Sequence, residues 1–243
     1  MTYISEDGRE LEIGSFGFGD YQIAYALCSY GDIIKFFPGK DGDSVGIFLA
    51  DTMGHDKDLG SDFSRYMNRV RKYGWGTRAD SEKELSFLSR NFPRRDKDLE
   101  LSPWQPVGAL LQVRVDNEYI NLANAGIEKP ILMDRTGNIE YLDLKGHLEF
   151  YNRTVHSSLY EKLMDSGEMI LLRSDGMHDN MYHVNNTSPD DEDYRLDHFL
   201  YENRHMTSEK LVSLITDVDG FGSCFLPKDD RYDDVSLVIV KRN

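Results

Sequence analysis

The sequence has few cysteines, fewer basic than acidic residues, and no long hydrophobic run. Cys28 and Cys224 are its only cysteines, too few for a disulfide framework or a cysteine-rich zinc site. Lys and Arg total 28 against 43 Asp and Glu, a formal net charge of −15, which argues against nucleic acids and anionic membranes as partners. No apolar stretch approaches the roughly 18–20 residues that span a bilayer, and no signal-peptide pattern is visible. These absences predict a cytoplasmic protein with no nucleic acid and no membrane as partner.

Hydrophobic residues make up 40% of the sequence, which is enough for a folded core. Turn signals between several apolar runs indicate antiparallel hairpins. The runs that predict strands are Tyr21–Leu27, Asp32–Phe37, Ser44–Ala50, Val107–Val115, Tyr119–Ala123, Ile131–Met133, Ile139–Leu142, Glu168–Arg173 and Val235–Lys241.

Fewer segments have the apolar spacing of a helix. They are residues 63–73, the segment Ser81–Asn91 behind a capping-box pattern, and the segment after Thr207 with Leu211, Leu214, Ile215 and Val218 as its apolar face. The acidic stretch Thr187–Tyr194 predicts a solvated loop. Hairpins with few helices predict an α+β fold of largely antiparallel sheet, in a single domain over residues 1–243.

Several motif-like patterns do not predict a site. The segment that begins at Asp41 has Val45 and Thr52 where a calcium-binding EF-hand loop needs oxygen ligands and Glu, so a hairpin turn is the better interpretation. His178 and His183 lack the Glu of a zinc-protease motif. Neither cysteine has a partner pattern for nucleophilic catalysis, so we expect both to be small buried residues.

Acidic residues recur at the ends of predicted strands. Asp51 and Asp175 each follow an apolar strand, Asp233 and Asp234 precede one, and Asp32 stands at the head of another. A single Asp in such a place is ordinarily a cap or turn residue. Several carboxylates that converge stay ionised together only if a cation compensates their charge. Hard oxygen ligands select Mg²⁺ or Mn²⁺ over zinc or copper, so the pattern predicts a site for one of these ions.

The order of these elements resembles a known family, the SpoIIE-type branch of the metal-dependent PPM serine/threonine phosphatases. Members of that branch have a Gly-Gly-Asp element, then Asp-x-x-Gly-His-Gly, Asn-Ala-Gly-His, Thr-Asp-Gly-x-x-Glu and a final Asp-Asp-x-Thr. No single motif is specific, but five in the correct order are, and the match extends from about Tyr21 to Lys241. The corresponding motifs here begin at Gly31, Asp51, Asn124, Ser174 and Asp233.

The resemblance implies a fold, a cofactor and a set of ligands. The fold is a four-layer α-β-β-α sandwich of two mainly antiparallel sheets flanked by helices, and the cofactor is two Mn²⁺ or Mg²⁺ ions. Carried over by position, Asp51 would bridge both ions with the backbone carbonyl of Thr52 completing one shell. Asp175 and Asp233 would bind the other ion, and Asp32 is the further acidic ligand. Asp179 takes the position of the family's Glu and is not included in this ligand set.

The resemblance also implies an activity. A hydroxide shared by the two ions that Asp51 bridges would attack the phosphorus of phosphoserine or phosphothreonine. The substrate would be a phosphorylated bacterial regulatory protein such as an anti-sigma-factor antagonist. His55 is either the proton donor to the leaving oxygen or a residue that only shapes its turn, and both roles stay open.

Departures from the family pattern leave alternatives open. Tyr30 and Asp56 stand where the family usually has Gly, and Ile127 stands where it has His. One alternative is therefore a weakly active or inactive PPM-like module that binds a signalling partner. Another is an enzyme that acts on a small phosphorylated metabolite with the same ions. The sequence leaves the oligomeric state open.

Overall fold

Antiparallel strands with few helices form two units of the chain. The computed structural model describes residues 2–4, 10–28, 31–39, 42–51, 83, 85–87, 107–114, 118–149, 154–177, 179–180, 189–217 and 233–243. The first unit consists of Met1–Asp32, Glu128–Asp143 and Met164–Asn243, and the second of Ile33–Ile127 and Leu144–Leu163. The strands of the described residues are β1 (Thr2–Ile4), β2 (Glu10–Phe18), β3 (Tyr21–Cys28), β4 (Ile33–Pro38), β5 (Ser44–Asp51), β6 (Val107–Arg114), β7 (Tyr119–Ala125), β8 (Ile131–Met133), β9 (Ile139–Tyr141), β10 (His147–Glu149), β11 (Thr154–His156), β12 (Ser158–Leu163), β13 (Met169–Arg173) and β14 (Val235–Arg242). Two helices follow β13 in the chain, α1 (Pro189–Glu202) and α2 (Ser208–Ile215).

A seven-stranded sheet dominates the first unit, with the strand order β1-β2-β3-β14-β13-β8-β9. Every pairing in it is antiparallel. One face packs against α1 and α2 through a continuous apolar core that includes Ala24, Leu200, Leu211, Leu237 and Ile239. The sheet core therefore holds β3, β14 and β13 side by side, and these are the strands next to the acidic residues.

The second unit contains a five-stranded sheet with the order β12-β7-β6-β5-β4 and the separate pair β10-β11. Its pairings are antiparallel too. Val45 to Ala50 are buried without interruption, as the continuous apolar run predicts for a strand covered on both faces. Asp51 is the last residue of this strand.

The predicted hairpins are confirmed. β4 pairs with β5, β6 with β7 and β8 with β9, each antiparallel and each around the turn that the sequence indicates. Cys28 is buried, as expected for a small core residue, whereas Cys224 lies outside the described residues. The strands β1, β2 and β10 to β12 are not among the predicted runs.

The solvated loop predicted over Thr187–Tyr194 is wrong from Pro189 onward, because α1 begins there. A proline in the first helical position fits the fixed proline φ and its missing N–H. The acidic residues that follow lie in the first turn, where they complement the positive end of the helix dipole. The acidic composition therefore marks a helix N-terminus rather than a loop.

The helix predicted after Thr207 is confirmed, and Leu211 and Ile215 of its predicted apolar face are buried. Thr207 is the N-cap of α2, and its side-chain oxygen accepts a hydrogen bond from the amide of Lys210 at 3.2 Å. Val212 is fully buried in place of Leu214. Val218 and residues 63–73 lie outside the described residues, and of Ser81–Asn91 the structure describes Lys83 and 85–87 as helical. No helix in the described part of the chain combines the length and apolar character needed to cross a membrane.

Candidate metal centre

Strand pairing brings three acidic segments to one edge of the seven-stranded sheet. β14 lies between β3 and β13 and runs antiparallel to both, with Val235 opposite Cys28 and Leu237 opposite Arg173. The end of β3, the start of β14 and the end of β13 therefore meet at the same edge. The Asp residues that follow β3, precede β14 and follow β13 are Asp32, Asp233 with Asp234, and Asp175.

Three carboxylates form a compact cluster at this edge. One side-chain oxygen from each of Asp175, Asp179 and Asp233 lies within 4.8 Å of the other two. Asp179 follows Asp175 by one helical turn, and its amide donates a 3.0 Å hydrogen bond to the Asp175 carbonyl. Because residues four apart lie on the same side of a helical turn, both carboxylates reach the same place. The sequence pattern identified Asp175 and Asp233, and the structure adds Asp179 to them.

Asn180 positions Asp233 through the main chain. The amide of Asp233 donates to Oδ1 of Asn180 at 2.7 Å, and Nδ2 of Asn180 donates back to the Asp233 carbonyl at 2.9 Å. Asn180 is fully buried, so this reciprocal pair is held by its surroundings. Oδ1 of Asp233 also accepts a 2.8 Å hydrogen bond from the amide of Asp234. These hydrogen bonds therefore fix the backbone of Asp233 and orient its side chain.

Close backbone packing joins the two strand ends. A Cβ added to Gly176 would lie 1.7 Å from the carbonyl oxygen of Asp234 and 3.2 Å from Cβ of Asp233. Only glycine allows the turn after β13 to approach the start of β14 this closely. Beside it, the amide of Ser174 donates to the Ser236 carbonyl and the amide of Ser236 donates to Oγ of Ser174, both at 2.9 Å. Gly176 and Ser174 therefore fix the spacing between Asp175 and Asp233.

Asp32 is a buried carboxyl group near the other acids, and only 6% of it is exposed. Burial, and then the charges of Asp234 and Asp233, raise the pKa of Asp32 to about 8, while the hydroxyls of Ser174 and Ser236 act in the opposite direction. The amide of Gly31 donates a 2.6 Å hydrogen bond to Oδ2 of Asp234. Neighbouring carboxylates favour the neutral form of Asp32, and a cation close by would favour the ionised form.

The donor set fits a hard divalent cation. Asp175, Asp179 and Asp233 offer only carboxylate oxygens, with no sulfur or imidazole in the cluster. Oxygen ligands of this kind suit Mg²⁺ and Mn²⁺. Three carboxylates this close together repel one another until a cation offsets their charge. The described cluster could therefore hold such an ion.

The remaining predicted site residues are described only in part. Asp51 ends β5 in the second unit. Thr52 and His55 lie outside the described residues, as do Tyr30 and Asp56. Ile127, at the family's His position, is buried. Its amide donates to Oδ1 of Asn124 at 3.1 Å, and Nδ2 of Asn124 donates to the Ile127 carbonyl at 3.1 Å, so the Asn124 element secures a turn.

Comparison with known proteins gives one family match. The sequence profile of the family described as Stage II sporulation protein E (SpoIIE) matches residues 41–243. No curated protein matches the chain.

Solved structures of low sequence identity share the fold. The RsbU and RsbW domains of Rv1364c from Mycobacterium tuberculosis are 15% identical, with a TM-score of 0.66 over 88% of this chain and 56% of that one. RsbX in complex with magnesium is 13% identical, with a TM-score of 0.64 over 96% of this chain and 100% of that one. The SiaA-PP2C domain of Pseudomonas aeruginosa is 13% identical, with a TM-score of 0.66 over 92% of this chain and 86% of that one.

These likenesses confirm the predicted fold class, an α+β fold of the PPM phosphatase type with mainly antiparallel sheets. The chain spans little more than half of the Rv1364c chain that it matches. At identities of 13–15% the structural likeness shows the fold alone. What the chain does must therefore be argued from the acidic cluster.

Proposed function

The chain belongs to the SpoIIE family of PPM-type phosphatase domains, and from that premise we propose that it is an active metal-dependent phosphoprotein phosphatase. The main support is the convergence of Asp175, Asp179 and Asp233 within 4.8 Å. A cluster of this kind is a site for a hard divalent cation. It lies at the strand ends where the family motifs fall, in what we take to be one catalytic domain over residues 1–243.

The proposed ligand set has two parts. Asp175, Asp179 and Asp233 would hold one Mn²⁺ or Mg²⁺ ion. Asp51 would bridge it to a second ion, with the Thr52 carbonyl and Asp32 as further ligands, as the family resemblance implies. Bound divalent ions would supply Lewis acidity and an activated water for attack on phosphorus.

Other residues of the chain would hold the proposed ligands in place during the reaction. Asn180 holds the backbone of Asp233 through both its amide and its carbonyl group, so the carboxylate keeps its position as charge develops on the substrate. Rigid placement of this kind is what electrostatic stabilisation of a transition state requires. His55 would donate a proton to the leaving oxygen or shape its turn, and its substitution separates the two roles.

We propose a phosphorylated regulatory protein as the substrate. The similar solved structures are described as RsbU and RsbW domains, as RsbX and as the phosphatase domain of the cell fate determinant SpoIIE from Bacillus subtilis. The last of these descriptions names a phosphatase domain. Together with the family resemblance it supports a phosphoserine or phosphothreonine on a partner protein, such as an anti-sigma-factor antagonist, as the group that is hydrolysed here.

The test is hydrolysis of a phosphoserine peptide and of a generic aryl phosphate by the purified chain with added Mn²⁺. We expect turnover of both that a chelator abolishes. Asp175→Asn and Asp233→Asn should each lower turnover by at least about 100-fold, since each removes a charged ligand. Asp143→Asn is the matched control, because Asp143 is 63% exposed and pairs with Lys129 at 3.9 Å. Near-normal turnover of Asp175→Asn would overturn the assignment.

A binding module is the second candidate, and Ile127 favours it. The buried Ile127 side chain offers no proton donor where the family usually has His. On this alternative the chain binds a signalling partner and turns over slowly or not at all. Calorimetry with Mn²⁺ discriminates further: absence of ion uptake, with an unchanged melting temperature, would favour the module over the enzyme. Faster turnover of metabolite phosphates than of phosphopeptides would indicate the third alternative, a small-molecule phosphatase.

A further inference from the structure

The first unit contains a cationic cavity that the phosphatase site does not use. Its volume is about 380 Å³, and its lining includes Arg135, Arg204, His205, Lys241 and Arg242. None of the described lining residues has an acidic side chain, and Asn243, which carries the α-carboxylate of this chain, is also among them. Four basic residues and a histidine thus line one small space in a chain with a net charge of −15.

The cavity lies at the opposite end of the central strands from the acidic cluster. Arg242 pairs with Tyr21 at the start of β3, and Lys241 pairs with Met169 at the start of β13. The acidic residues meet at the other ends of the same strands, beside Val235. A strand rises about 3.3 Å per residue, so Val235 and Lys241 are roughly 20 Å apart. The sheet therefore carries an acidic edge and a basic edge, and an ion bound at one is remote from the other.

Packing fixes Arg204, one of the arginines that line the cavity. The Arg204 guanidinium lies 4.4 Å from the centre of the Tyr201 ring, and its Nη1 donates a 2.7 Å hydrogen bond to the Tyr201 carbonyl. Gly137, at φ +96°, allows this contact with the β8-β9 hairpin, because a Cβ there would lie 2.6 Å from the Tyr201 ring and 3.0 Å from Cδ of Arg204. Arg135 belongs to the same hairpin. Arg204 is thus held by packing against this hairpin, and Arg135 stands at an exposed position of the same hairpin.

Lys241 is the buried cation of the cavity, with only 7% of the residue exposed. Its ammonium donates to the carbonyls of Arg204 and Met206 at 2.5 and 2.6 Å. An ammonium has three N–H donors, so these two bonds account for two of them. Burial lowers the pKa of Lys241, and an anion nearby would favour its charged form. Lys241 therefore ties the segment between α1 and α2 to the end of β14 and brings a desolvated positive charge to the cavity.

We propose that this cavity binds a small phosphorylated anion. Four basic residues around one cavity favour a ligand with more than one negative charge, and guanidinium groups match phosphoryl oxygens in geometry. The volume falls in the range of small-molecule sites, about 300–1,000 Å³. Thr207, the N-cap of α2, also lines the cavity, and the positive end of that helix adds to the same field. A protein this acidic keeps phosphorylated anions away from the rest of its surface, so binding should be confined to this place.

The test is calorimetric titration of the full chain with inorganic pyrophosphate, inorganic phosphate and adenosine monophosphate in the presence of a chelator. Without a divalent ion the acidic edge repels anions, so any uptake reports on the basic edge and does not depend on the proposed phosphatase activity. We expect pyrophosphate to bind at submillimolar concentration. Arg135→Gln and Arg204→Gln should each weaken it at least about tenfold, the loss typical of a charge-assisted contact.

Lys129→Gln is the matched control, since Lys129 is an exposed cation of the same unit outside the cavity, and it should bind pyrophosphate as the unaltered chain does. Tighter binding of adenosine monophosphate than of inorganic phosphate would identify a nucleoside phosphate as the ligand, and equal binding would identify the phosphoryl group alone. Absence of binding for all three probes, or unchanged affinity in both arginine variants, would overturn the proposal. Far-ultraviolet circular dichroism of each variant shows whether it is folded.

Discussion

Gly31 and Asp234 are joined by a buried hydrogen bond although they are 203 positions apart: the Gly31 amide donates to Oδ2 of Asp234 at 2.6 Å. The bond ties the residue before Asp32 to the residue after Asp233. Two of the proposed metal ligands are therefore placed relative to each other by neighbours that are not ligands themselves. The stability of the acidic edge should depend on Asp234 even without an ion.

Replacing Asp234 tests this dependence. Asp234→Ala removes the acceptor and leaves the buried Gly31 amide without it, so the free energy of unfolding should fall by about 1.5–3 kcal/mol, the range for a hydrogen bond to a charged group. Both Asp234→Asn and Asp234→Ala remove the repulsion with Asp32, but Asp234→Asn keeps an oxygen acceptor for the Gly31 amide, so it should be more stable than Asp234→Ala. Urea unfolding in the presence of a chelator measures both. Equal stability of the two variants would show that the acceptor does not matter.

Gly176 should tolerate no side chain. The Cβ of Gly176→Ala would lie 1.7 Å from the Asp234 carbonyl oxygen, so the turn or the start of β14 must move. We expect a loss of unfolding free energy on the order of 2–3 kcal/mol, as for other substitutions that force backbone apart, together with weaker Mn²⁺ binding. Gly17→Ala is the control, because its Cβ would meet no atom closer than the Tyr21 carbonyl oxygen at 4.0 Å. A Gly176→Ala variant as stable as Gly17→Ala would contradict the close approach.

Asp179 should contribute to ion binding because its carboxylate lies with those of Asp175 and Asp233. Asp179→Asn removes one negative charge at nearly constant shape, so the Mn²⁺ affinity should fall by at least about tenfold. Asp179→Glu restores the charge and the residue type that the family carries, and it should bind Mn²⁺ more tightly than Asp179→Asn does. Calorimetric titration with Mn²⁺ measures all three proteins. An Asp179→Asn variant with unaltered affinity would exclude Asp179 from the site.

The strands beside the acidic cluster are predictable because their local sequence is sufficient. β13 and β14 are apolar runs buried along almost all their length, and each adjoins Asp or Gly residues that signal a turn. β2 is less predictable. Glu10 to Ile13 alternate between polar and apolar residues, but the pattern breaks at Gly14, most of the strand is at least partly exposed, and Gly14 and Gly17 are poor strand formers. Pairing with β3 rather than propensity makes β2 a strand.

The supporting residues of the site are less predictable than its carboxylates. Asn180 contacts Asp233 across 53 positions, and no local pattern marks such a partner. Asp179 departs from the family's Glu, so motif matching alone undervalues it, and only the geometry groups it with Asp175. The α1 segment shows the reverse problem: acidic composition favours a loop, whereas Pro189 followed by acids is a local signal for the start of a helix.

Tyr25 provides a test of the fold that is independent of the acidic edge. Its hydroxyl donates a 2.7 Å hydrogen bond to Oε1 of Glu12 across the β2-β3 pair. Burial, then that hydrogen bond and the charge of Glu12, raise the pKa of Tyr25 to about 12. Because the native pKa exceeds the ordinary value near 10, the stabilisation is fully present below pH 10 and is lost as the pH rises from about 10 to 12.

Glu12→Gln removes the charge, so the pKa of Tyr25 should fall, whereas Glu10→Gln, at an exposed position of the same strand, should leave it unchanged. The difference in tyrosinate absorbance between each protein and its Tyr25→Phe variant measures this pKa, and ionisation of Tyr25 at the same pH in all three proteins would refute the role of Glu12.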